Sequence, residues 1–281
     1  MLRLPRRVVA VRLLGMLGVL GGFWASALHA QPAACSRPIE VPLAPVGQSV
    51  VIAADAGFSG VYPELLKSLE RRHGCQFLFS AVPRARLELM FETGKADVLI
   101  PASRTPRRDE FGEFVPLISA RPTLISLKSD RPALLSLKDL SERRDLRVVL
   151  VRGFDYGDEY QALVRELARQ GRVTWESDAV SVARSLAAGA ADLTLMAPSI
   201  LIGAITGDAR VQQLAERLRI EPVEELPWSE SGAYLSRSSL GDGDRARLRE
   251  LLEQGAKSGA VWRGFQKYYP AGSLNDSIRP R

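Results

Sequence analysis

The stretch Gly94–Phe114, GKADVLIPASRTPRRDEFGEF, decides how the chain is read. A turn at Gly94-Lys95 feeds Asp97-Val98-Leu99-Ile100, an apolar run of the length of one buried strand. Pro101 is expected to close that run, because proline gives a ladder no N–H and biases the preceding residue toward extended geometry. A polar corner follows, Ser103-Arg104-Thr105. Thr105 or Ser103 can cap the next turn, and Pro106 suits a first helical position. Small hydroxyls and an arginine just past the C-terminal end of a buried strand stand where open α/β sheets bind ligands. The same residues also suit a solvated basic loop.

Working outward, the N-terminus carries Arg3, Arg6, Arg7 and Arg12 ahead of an apolar run, Leu13 to Leu28, that ends in small residues. This is the layout of a secretory signal over residues 1–30, with cleavage after Ala30 preferred to Ala27 and a retained anchor helix as the alternative. The full chain has a formal charge of +6, and losing these four arginines with no acid leaves +2. So weak a balance, with no basic stripe, excludes nucleic acid as an expected partner. Past the leader, the most apolar run, Leu193 to Ile205, is broken by Pro198 and too short to span a membrane.

Cys35 and Cys75 are the only cysteines, and both lie beyond the cleavage site. An even count in an exported protein implies a disulfide. A lipidated Cys35 is the weaker alternative, because Pro32-Ala33-Ala34 lacks the leucine-like position expected before it. His73 is the sole histidine after export, and no GxSxG, HExxH, P-loop or GxGxxG pattern occurs. No metal, cofactor or catalytic triad is expected. Asp242-Gly243-Asp244 is read as a helix cap rather than a calcium loop.

The rest alternates strands and helices. Val50–Ala53 is the expected first strand, followed by a helix with Leu65, Leu66 and Leu69 on one face, ended at Gly74. Gln76–Ala81 is a second strand, and a helix opens at Pro83-Arg84-Ala85-Arg86 and stops at Gly94. Thr123–Leu127 is extended. Strands at 147–151, 172–175 and 192–196 then alternate with helices at 158–170 and 178–188. Val223–Leu226 and Gly232–Arg237 are extended, and a final amphipathic helix runs over 244–254.

Gly94, Asp97, Ser103, Thr105, Arg108 and Phe114, in that order and spacing, resemble the central signature of the bacterial extracellular solute-binding proteins of family 3. The resemblance continues through Gly60–Leu66 with Gly74, through Leu137-Lys138-Asp139-Leu140 with Arg147–Gly153, through Gly189 with Asp192, and through the C-terminal Lys257–Gly259 and Trp262–Tyr268. It implies an α/β fold, the two-lobed type II periplasmic-binding-protein architecture. Each lobe would be a βα sheet domain, residues 31–121 plus 229–281 and residues 122–228, joined by a two-crossing hinge.

By the same resemblance, Arg108 would pair a ligand carboxylate in a dehydrated cleft, with Ser103 and the backbone of Gly153, Tyr156 and Gly157 completing the anion site. Arg86 would face the cleft from a helix start, Phe58 is the candidate aromatic platform, and Arg107 would be solvated. The family's partner for a ligand ammonium falls on Ala197, a departure that disfavours ordinary α-amino acids. The implied function is periplasmic capture of an amino acid or related organic acid by a monomer serving an inner-membrane ABC permease, without catalysis. A dehydratase-like enzyme on this fold and a sensor input docked on a membrane receptor kinase are the alternatives.

Overall fold

The computed structural model describes residues 34–55 and 57–281, so the signal-peptide reading of residues 1–30 lies outside the described residues. The first strand is β1 (Ile39–Leu43), not the run at Val50. Ile39, Val41 and Leu43 are all fully buried at strand period two. Pro38, Pro42 and Pro45 mask that alternation when the sequence is read for breakers. Val50–Ala53 yields only the short β2 (Val51–Ile52), which forms a hairpin with β3 (Phe58–Ser59).

Helix α1 (Val61–His73) buries Leu65, Leu66 and Leu69 as its periodicity predicts. It leads to β4 (Phe77–Ala81), parallel to β1. Helix α2 (Arg84–Glu92) and β5 (Val98–Ser103) follow. Pro101 does not end β5. Its partner strand bulges between Gly232 and Tyr234, opposite Ile100 and Pro101, and this irregularity accommodates a residue without an N–H. The short α3 (Pro106–Asp109) then turns the chain into β6 (Gly112–Ala120).

The chain crosses at residues 121–122 into β7 (Thr123–Leu127) of a second sheet. The order continues as α4 (Leu137–Glu142), β8 (Val148–Val151), α5 (Asp158–Arg169), β9 (Val173–Glu176), α6 (Ala179–Ala187), β10 (Leu193–Met196), α7 (Pro198–Thr206) and β11 (Leu218–Glu221). Their strand order is β11-β7-β10-β8-β9, with β8 parallel to both β9 and β10. The strand β8 is buried along its whole length, which is what an unbroken Val-Val-Leu-Val run requires of a central strand. Strand β11 fell in a stretch with no expected strand, and Val223–Leu226 is irregular.

Residues 222–228 return the chain to β12 (Ser229–Ser236), followed by α8 (Asp242–Lys257), α9 (Ala260–Tyr268) and β13 (Ile278–Arg279). The first sheet's order is β13-β6-β12-β5, and β1 lies beside β5 through the bond from the Asp97 amide to the Glu40 carbonyl. Arg121 ties the two crossings together, with its guanidinium 3.4 Å from the Val223 and Leu226 carbonyls. Asp244 does not cap α8, whose N-cap is Gly241. Its carboxylate instead accepts from the Ser36 amide and hydroxyl.

Cys35 and Cys75 are disulfide-bonded, with Cα atoms 4.8 Å apart, and the link staples the segment before β1 to the entry of β4. The chain-entropy model gives such a loop roughly 4 kcal/mol of stabilisation. Denaturant titrations with and without reductant should therefore differ by about that amount. Two thiols that react freely in native oxidised protein would contradict the link.

Candidate functional site

Strand β5 ends at Ser103, and α3 folds back because Thr105 caps it. The Thr105 hydroxyl accepts from the Arg108 amide at 3.3 Å, as expected of a threonine before Pro106. Tyr234, fully buried on β12, holds this corner from below. Its hydroxyl accepts from the Thr105 amide at 3.0 Å and donates to Asp109 at 2.9 Å. So fixed, α3 aims Arg108 at α2 rather than at solvent.

There Arg108 meets Glu88. Nε and Nη2 reach the two Glu88 oxygens at 3.1 and 2.8 Å, a bidentate pair. Nη1 donates to the Ser103 carbonyl at 2.9 Å and, across to the second sheet, to the Asp155 carbonyl at 3.3 Å. The anchor expected for a ligand carboxylate thus holds a carboxylate supplied by the chain itself.

Arg84, one helical turn before Glu88 on α2, completes a triad. Its Nη2 reaches Glu88 at 2.6 Å and its Nη1 reaches the Pro101 carbonyl at 2.8 Å. Its Nε has no partner among the described residues. The guanidinium carbon also lies 6.0 Å from the centroid of the Phe154 ring. Arg84 is only 5% exposed and Arg108 3%. Burial resists ionisation of Glu88, but the charges of Arg84 and Arg108 outweigh it and hold the carboxyl below its usual range. Burial lowers Arg84. For Arg108, burial acts the same way but is outweighed by Glu88 and the nearby Asp155 charge, so its pKa is raised. Both remain cations at neutral pH.

Beside the triad a cavity of about 50 Å³ opens between the sheets. Arg84, Ser103 and Arg108 face it from the first sheet, and Phe154, Asp155 and Tyr156 from the loop after β8. That loop comes close because of Gly153, whose φ is +91° and where a Cβ would sit 2.9 Å from the Ala85 backbone. Burial pushes the Tyr156 phenol up, an effect that the Ala197 backbone and the Arg84 charge only partly offset.

The expected site residues divide accordingly. Arg108, Ser103 and Tyr156 come together on this cavity, while Gly153 and Gly157 shape the loop behind it, Gly157 as the N-cap of α5. Arg86 is exposed and lines no cavity described here. Phe58 packs against Phe79 with ring centroids 5.5 Å apart, partly buried against the first sheet's core and away from this cavity. Arg107 is largely exposed and pairs with Glu92 at 2.7 Å. Sequence reasoning missed Glu88. An Arg84–Glu88 pair at helical spacing i, i+4 reads as a solvated face, and only the return of α3 buries it.

No family model and no curated protein matches the chain. Solved structures do. A histidine kinase sensor domain with similarity to periplasmic binding proteins aligns at TM-score 0.65 and 20% identity, covering 83% of this chain and 96% of that one. An amino acid ABC transporter substrate-binding protein from Streptococcus pneumoniae, bound to L-arginine, aligns at TM-score 0.65 and 17% identity over 82% and 94%. An ancestral amino acid-binding protein, a precursor of cyclohexadienyl dehydratase, aligns at TM-score 0.64 and 17% identity over 83% and 95%. At these identities the likeness is one of fold: the chain has the mixed α/β, two-sheet-domain fold of type II periplasmic binding proteins.

Proposed function

We propose that the chain is an exported solute-binding protein. In this reading it captures a small carboxylate-bearing ligand between lobes 31–121 plus 229–281 and 122–228, and presents it in the periplasm, as a monomer, to an inner-membrane ABC permease. The observation that carries this reading is the cavity itself, lined from both sheets and walled by Arg84 and Arg108 on one side and Asp155 on the other.

The charges there refine the ligand. Glu88 saturates most of Arg108, so the uncommitted donor is the Nε edge of Arg84. A ligand carboxylate gains most at that edge, where a buried N–H otherwise goes unmet. Asp155 comes from the opposite sheet and supplies the acid that Ala197 does not, so a ligand amino group has a counter-charge after all. The volume sets size. At roughly 10–15 Å³ per water on this measure, 50 Å³ holds only a few waters' worth of atoms. A ligand as large as arginine requires the Phe154–Tyr156 loop to withdraw.

The likeness to a histidine kinase sensor domain favours a second reading, in which the same ligand-induced closure is reported to a membrane kinase. Affinity purification of the exported protein with crosslinked membranes separates the two by which class of partner it retains. A dehydratase-like activity has less support. It needs a cleft acid that exchanges a proton, and Glu88 is held ionised with both oxygens engaged.

A thermal-shift screen of small amino acids and their deaminated counterparts tests the ligand assignment, since ligand binding to the native state raises its melting point. Arg84→Gln should weaken the best ligand at least about 30-fold, the lower end for truncating a buried charged contact. Asp155→Asn should weaken amino acids while sparing the deaminated acids. No shift by any member of either set, or equal affinity in both variants, would overturn the assignment.

The ionisation of Glu88 has its own signature. Its folded pKa lies below the unfolded value, so its stabilisation is complete at neutral pH and fades as the pH falls through the folded pKa. Below about pH 4.5, wild type should lose stability faster than Glu88→Gln when both are followed by denaturant midpoint. Parallel acid limbs would mean that the triad does not hold its charge.

A further inference from the structure

A second depression lies outside the triad, with a volume of about 420 Å³ against 50 Å³ for the inner cavity. Leu89 of α2 and Arg107 of α3 border it on the first sheet's side; Arg152, Tyr160, Gln161 and Trp175 border it on the second's. Three of its features are unspent by the fold. Leu89 and Trp175 are 59% and 38% exposed, and they are two of the four large exposed hydrophobics among the described residues. They come from opposite sides yet border one groove.

The second feature is charge. The guanidinium of Arg152 has no ion pair and no hydrogen bond among the described residues, and neither does the Gln161 amide group. Of the carboxylates that line the groove, Glu88 is held by Arg84 and Arg108 and Glu92 by Arg107. Asp155 accepts from the Gly157 amide at 3.0 Å, and its charge offsets the second cation of the triad. Arg152 is the cation left without a carboxylate.

The third is Tyr160. It is 1% exposed, packs edge-on against Tyr156 with centroids 5.1 Å apart, and its hydroxyl has no partner among the described residues. A buried hydroxyl left unpaired costs stability, so it calls for an acceptor from outside the chain.

We propose that this groove binds an aromatic carboxylate, with its ring on Trp175 and Leu89, its carboxylate on Arg152 and Gln161, and the Tyr160 hydroxyl donating to it. The volume suits a one- or two-ring acid and falls within the ordinary range of small-molecule sites. The groove adjoins the inner cavity, sharing Arg108, Phe154 and Asp155 with it, but the groups that would hold the acid line the groove alone.

Calorimetry of the mature protein with benzoate, 2-naphthoate and the neutral 2-naphthamide tests it. The naphthoate should bind with a Kd below about 1 mM and the amide at least about tenfold more weakly. Arg152→Ala and Trp175→Ala should each reduce naphthoate affinity about tenfold or more, and Arg86→Ala, at an exposed arginine that borders neither cavity, should leave it within about twofold. Tyr160→Phe should weaken binding about threefold or more while leaving the melting temperature unchanged or higher, because the hydroxyl has no partner in the fold. The proposal is overturned if naphthoate does not bind below about 1 mM, or if Arg152→Ala and Trp175→Ala bind it as wild type does. An equal loss of binding in Arg86→Ala would make the attraction one of general surface charge, and a Tyr160→Phe protein that melts lower would give the hydroxyl to the fold; either contradicts the groove site.

Discussion

A carboxylate clamped between two buried guanidiniums is the constraint on which the rest of this molecule depends. Glu88 accepts from Arg84 and from Arg108, and all three are largely withdrawn from water. None could be there alone, because an unpaired buried charge costs several kcal/mol. The triad therefore fixes how α2 lies against α3. Through the third arm of Arg108 it also fixes where the Asp155 loop of the second sheet can rest. Two cations against one anion leave one positive charge, which Asp155 balances from across the cavity. The polarity of the cleft is thus set by four side chains from three separate stretches of sequence.

On the other flank the sheets meet through α7. Gly203 approaches so closely that a Cβ would sit 2.5 Å from the Gln48 amide nitrogen. The Ser199 amide donates to the Ser277 hydroxyl at 2.7 Å, and the Tyr269 hydroxyl donates to the Ser199 carbonyl at 2.8 Å. These are short backbone-anchored bonds, whereas among the described residues the triad side is bridged by the 3.3 Å bond to the Asp155 carbonyl and by the Arg84 guanidinium over the Phe154 ring. Under the proposed function a ligand would enter at the weaker flank, and the loop between Gly153 and Gly157 is the element that would have to move for a larger one.

Much of this was legible in the sequence. The βα alternation, the Thr105 cap, the Gly74 stop and the cysteine pair follow from local rules, and they stand in the structure at the expected residues. The failures are just as physical. Strand β1 was hidden by Pro42 inside it and by Pro38 and Pro45 at its flanks, and Pro101 was read as a terminator because the bulge that accommodates it lies on another strand more than a hundred residues away. Arg108 was singled out in the sequence and lines the inner cavity, but its partner Glu88 was not. Glu88 lies on a helix whose charged residues look solvated until α3 folds over them, and local spacing carries no trace of that. Phe58 packs on Phe79 and Arg86 is exposed, placements that depend on neighbours the local sequence does not contain.

The central claim is that Arg108 spends its charge on Glu88 inside the protein. A double-mutant cycle on folding stability, with Glu88→Gln, Arg108→Gln and the pair together, measures that directly. The account expects each single change to cost about 3–5 kcal/mol and the double to cost less than their sum by at least about 2 kcal/mol. Additive costs would show that the two side chains do not depend on each other, and Arg108 would then be free to serve a ligand alone.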